Sequence, residues 1–147
     1  MPAELPNPSR LSATLKAVRR ARGLRPPEVA QAMGLPLRSY ERFEAGAGRM
    51  DWGRLQAFAQ ATRSDPLALF LAVVSGSPTL AVRCADHKLV SLWQMALEEF
   101  HATAGEGVKT LDAAFILDVF TGAFESLAEE IKRRQATAEA ADSDPEG

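Results

Sequence analysis

Cysteine is almost missing from this chain: Cys84 stands alone in 147 residues. A single thiol excludes an internal disulfide framework and any multi-cysteine zinc or iron–sulfur site. Histidine is nearly as scarce. His87 and His101 are the only two, so metal ligation and acid–base chemistry have little to work with. No apolar run approaches the ~20 residues of a membrane span. The opening MPAELPNPSR has no apolar stretch behind a positive start, so no secretory signal is expected and a reducing, cytoplasmic location is. Neither a strand-like alternation nor an internal repeat stands out. What remains is ordinary globular composition, 46% apolar and 24% charged. The length suits one domain, or a small domain with an appendage.

The formal net charge of −2 conceals two opposite halves. Residues 1–75 carry 11 Lys/Arg against 6 Asp/Glu, and residues 76–147 carry 6 against 13. Ten of the 11 cations in the first half are arginine, Lys16 being the exception. Arginine suits bidentate contacts with phosphate and guanine. The asymmetry points to a polyanion-facing half and a separate half that does not bind. Solvated helix faces would give the same pattern, so a motif has to decide.

Periodicity and punctuation divide the chain into helices. Pro2, Pro6 and Pro8 mark residues 1–8 as a flexible arm. Ser9 can cap a helix over 10–21 that carries Leu11, Leu15 and Val18 and stops at Gly23. Pro26 and Pro27 open a short second helix with Val29, Ala30 and Met33 inward. A third runs from Pro36 or Leu37 to Glu44 with Tyr40 and Phe43 inward, before Gly46 and Gly48 break the chain. Asp51 caps a fourth and Asp65 a fifth. The best boundary is Ser75-Gly76-Ser77-Pro78. The division expected is a first helical domain over 9–75, a linker over 76–85, a helical region over 86–134 and a disordered acidic tail over 135–147. Within 86–134, Asp86 caps one amphipathic helix, and a second is capped near Thr110.

Two short helices joined tightly through Met33-Gly34-Leu35-Pro36 form a helix-turn-helix pattern. The second helix of such a pair lies in the major groove of DNA. Further matching features spread over Leu11 to Phe70: Leu15 and Arg19, Leu24, Glu28-Val29-Ala30, Tyr40-Glu41-Arg42-Phe43-Glu44-x-Gly46, Leu55-x-x-Phe58-Ala59 and Asp65-Pro66-Leu67. This stretch resembles the Cro/C1-type (XRE-family) helix-turn-helix regulators of bacteria and phage. The resemblance implies an all-α, five-helix, lambda-repressor-like DNA-binding domain. It assigns base reading to Leu37, Arg38, Ser39, Glu41 and Arg42, and the outward positions of the third helix independently select the same residues. It also implies a structural pair between Arg19 and Glu44. Arg25, Pro26 and Pro27 depart from the family's hydroxyl and Gln at the start of the second helix, which leaves Arg25 as the substitute phosphate contact. Arg10, Lys16, Arg49 and Arg54 are the other phosphate candidates.

The two C-terminal helices are strongly apolar on one face. Leu89, Trp93, Leu97 and Phe100 on the first, and Ile116, Phe120, Phe124 and Leu127 on the second, are expected to bury against a second copy as a dimer interface. Cys84-x-x-His87 lacks a second ligand pair, and Gly105-x-Gly107 lacks the third glycine and the strand of a nucleotide loop. No metal, cofactor or enzymatic activity is expected. The leading reading is a homodimeric regulator, most simply a repressor, on a palindromic double-stranded DNA operator. The alternative is an antitoxin-like or other interaction module. Its C-terminal helices would hold a protein partner, with DNA binding as autoregulation.

Overall fold

The computed structural model describes residues 7–48 and 50–143, and all regular structure among them is helical. The chain divides into two units, residues 1–99 and 100–147.

The first unit opens with α1, Pro8–Ala21. Asn7 caps it, its side-chain oxygen accepting from the Ser9 N–H at 2.8 Å. The cap therefore falls two residues before the expected Ser9, because proline at the first helical position has no N–H to satisfy. Of the expected arm, residues 1–6 lie outside the described residues, and Pro8 is helical. α2 (Pro26–Ala32) and α3 (Leu37–Glu44) follow as expected. Gly34 turns between them at φ +66°, and the Leu35 N–H reaches back to the Ala30 carbonyl at 2.9 Å. α4 (Trp52–Thr62) and α5 (Pro66–Ser75) start at Asp51 and Asp65, each carboxylate accepting from a backbone N–H of its first turn.

Leu15, Val18, Val29, Tyr40, Leu55, Phe58, Leu69 and Val73 meet in one core, all essentially inaccessible to solvent. Phe43 packs its ring on the edge of Phe58, centroids 6.3 Å apart. This core fixes how α3 is presented, since α3 packs on both α1 and α2.

The expected linker over 76–85 is instead part of this unit. It contains α6, Pro78–Arg83, which packs against α1 and α5 and buries Ala81. A small second cluster of Ala68, Cys84 and Val90 continues the packing into α7, Leu89–Ala104. Two polar ties reinforce it. Arg22 donates from both terminal nitrogens to the Asp86 carboxylate, at 3.0 and 2.8 Å, and to the Arg63 carbonyl at 2.7 Å. The Ser91 hydroxyl donates to Asp65 Oδ2 at 2.9 Å. Asp86 is thereby held by Arg22, and α7 starts at Leu89, two residues later than a cap at Asp86 would place it.

In the second unit a 3₁₀ turn, Gly105–Thr110, leads to α8, Ala113–Asp142. Thr110 does not cap α8. Its hydroxyl donates to the Gly107 carbonyl at 2.7 Å, and Asp112 accepts from the Phe115 N–H at 2.9 Å in its place. α8 also runs through most of the tail expected to be disordered. The segment Ala136–Asp142 is rich in alanine, which favours the helix without needing a core. Residues 144–147 of that tail lie outside the described residues. No described residue of this unit is buried.

Candidate nucleic-acid interface

α3 separates its residues by helical period. Tyr40, Phe43 and Glu44 are buried, while Leu37, Arg38, Ser39, Glu41 and Arg42 are all exposed. Arg38 and Arg42 stand one turn apart and have no ion-pair partner among the described residues. Two guanidiniums on one face of a short presented helix can each make a fork of N–H donors.

The orientation of α3 is set beneath that face. Arg19 on α1 and Glu44 at the end of α3 form a salt bridge with only 12% and 7% of their side chains exposed. Arg19 also donates to the Leu24 carbonyl at 3.0 Å, in the turn before α2. The pairing expected from the sequence is present, and it has a third member. The Tyr40 hydroxyl donates to the same Glu44 oxygen at 3.0 Å. The i, i+4 spacing of Tyr40 and Glu44 was the available signal for that bond. Hydrogen bonding by Glu44 raises the Arg19 pKa above its usual value, against the opposing effect of burial.

Burial first, and then the Glu44 charge, push the Tyr40 phenol well above the ordinary tyrosine range. Tyr40 is the only tyrosine, so tyrosinate absorbance reports it alone. The unfolded chain loses this proton near pH ~10 and the folded chain keeps it. The folded state then binds more protons, and stability falls as pH rises above ~10. We expect no tyrosinate signal from the folded protein at pH ~11 and a full signal on unfolding. Free titration near pH ~10 in the folded protein would mean that Tyr40 is not sealed in this network.

The remaining cations are spread more widely. Lys16 is half-buried on α1, and Arg54 is exposed on α4. Arg25 is exposed beside Glu28, which accepts from the Arg25 backbone N–H at 2.7 Å. Arg10 donates to the Val74 carbonyl at 3.1 Å, so its guanidinium serves the end of α5. Arg49 lies outside the described residues. Of the expected dimer-interface residues, Trp93, Leu97, Phe100, Phe120, Phe124 and Leu127 are exposed and Ile116 is half-buried. Leu89 departs from that group. It packs on the Ala68–Cys84–Val90 cluster, because α7 begins inside the first unit.

Among the described residues, no helix is long and apolar enough to cross a membrane, and no three His, Cys, Asp or Glu side chains cluster as metal ligands.

Residues 10–69 match the family model of a helix-turn-helix domain. The match runs from α1 into α5, over the helices that carry the buried Arg19–Glu44–Tyr40 network and the exposed face of α3. A domain of this class points to a DNA-binding regulator. No curated protein and no solved structure matches the chain.

Proposed function

We propose that this protein is a dimeric, sequence-specific DNA-binding regulator of the Cro/C1 (XRE) type, a repressor that occludes a promoter, and not an enzyme. It would work in the cytoplasm. The observation that carries this reading is the face of α3, where Arg38 and Arg42 stand exposed on a helix locked from below by Glu44. In the major groove, each arginine can bind guanine O6 and N7 bidentately, worth about 1–3 kcal/mol of discrimination. Ser39 and Glu41 offer further polar contacts, and Leu37 can meet a thymine methyl. Lys16, Arg25 and Arg54 contact phosphate. The acidic second half is repelled by the duplex, which suits a dimerising body held clear of it. Two-fold symmetry then calls for a palindromic operator with half-sites about 34–36 Å apart.

The test is selection of bound sequences together with salt titration. Arg38→Ala or Arg42→Ala should cost about 1–3 kcal/mol on the selected site and relax preference at particular base pairs. Lys16→Ala should weaken all sequences alike and reduce the salt slope by about one. A dimer that neutralises roughly 6–10 phosphates should show log K falling against log salt with a slope of about −5 to −9. A flat salt response would overturn DNA binding. Unchanged base preference in both arginine variants would move the reading residues elsewhere.

A further inference from the structure

α8 carries an apolar seam that stands exposed among the described residues. Leu117, Phe120, Phe124, Leu127 and Ile131 recur at intervals of 3, 4, 3 and 4 residues, the spacing by which helices pair side by side. These five are between 41% and 64% exposed. An apolar stripe this long, exposed together with its neighbours Phe115 and Val119, is the mark of a partner surface.

Continuing the same spacing leads to Arg134, so a cation sits in line with the seam at its far end. Up to Arg134 the charges along α8 are segregated, with Arg133 and Arg134 pairing back to Glu130 where the two blocks meet. From Asp112 to Glu130 there are five acids and no Lys or Arg, and Lys132-Arg133-Arg134 follows. A parallel, in-register pair would place Arg134 against its own copy and the acidic stretches against each other. Like charges so placed repel. An antiparallel pair about a two-fold axis near Ala123–Phe124 superimposes the apolar stretch on itself. It also carries the basic triplet of each copy to the start of the other copy's α8, where Asp112 lies.

We propose that α8 pairs antiparallel with α8 of a second copy, crossing near Ala123–Phe124. This rests on the reading that the protein dimerises, and it adds which helix does so and in which direction.

The experiment uses the full chain. Light scattering at micromolar concentration should find a dimer, and Phe124→Asp should raise its dissociation constant at least about 30-fold, as for a central interface anchor. Direction is read from distances between nitroxide labels in a Cys84→Ala background. Labels on Thr137→Cys should stand about 40 Å apart, from 27 intervening residue positions along paired helices. Labels on Thr121→Cys, near the axis, should lie within about 25 Å. Short distances at both positions would overturn the antiparallel arrangement and leave the dimer standing. A dimer indifferent to Phe124→Asp would overturn α8 as the interface. A monomer would overturn the pairing and dimerisation together, while DNA binding is decided separately by the salt titration.

Discussion

Glu44→Ala should destabilise the helix-turn-helix unit by about 3–5 kcal/mol, the cost of stranding one partner of a buried ion pair. Two groups lose their acceptor at once. Arg19 keeps a charge that is largely shielded from water, and the Tyr40 hydroxyl loses the carboxylate it donates to. Glu44→Gln should cost less, since its amide oxygen still accepts from Tyr40. The double change Arg19→Met, Glu44→Leu should recover much of the loss, because well-packed apolar side chains often equal or exceed a buried ion pair. Urea denaturation of the four proteins checks the series. A Glu44→Ala cost below about 1 kcal/mol would class the pair with surface salt bridges. The same change should lower DNA affinity at conditions where the fold persists, since the network sets how α3 is held.

Gly46→Ala should be the most costly glycine change, about 2–5 kcal/mol from backbone strain plus overpacking. Gly46 has φ +78°, a conformation that L side chains avoid. A Cβ there would also be driven into the Pro8 carbonyl at the start of α1, 2.8 Å from its carbon. Gly23 separates the two effects. Its φ is +66°, and nothing lies within 4 Å of an added Cβ. Gly23→Ala should thus cost only the left-handed backbone term, about 1–2 kcal/mol. Thermal melts of both variants make the comparison. Equal losses would mean that α1 does not approach the end of α3 as closely as the structure has it.

The helices that position the exposed face of α3 were legible because their signals are local. Pro26, Gly34, Asp51 and Asp65 punctuate by their own backbone and capping chemistry, and the 3.6-residue period sorts Tyr40 and Phe43 from Arg38 and Arg42. Those rules act over one or two turns and need no knowledge of the rest of the chain. They fail where a competing partner lies far away. Asp86 reads as a helix cap until Arg22, 64 residues earlier, takes its carboxylate. Gly76-Ser77-Pro78 reads as a linker until Ala81 finds room between α1 and α5. Leu89 reads as interface until the Ala68–Cys84–Val90 cluster claims it. The second half of the chain sharpens the contrast. Residues 136–142 looked too polar to fold, yet alanine needs no tertiary contact to be helical, so α8 carries on through them. Sequence pattern alone was thus sufficient for α1 to α5 and for which residues of α3 are exposed. Which side chains lock that face, and where the first unit ends, depended on contacts between residues far apart in the chain, which short-range periodicity does not encode.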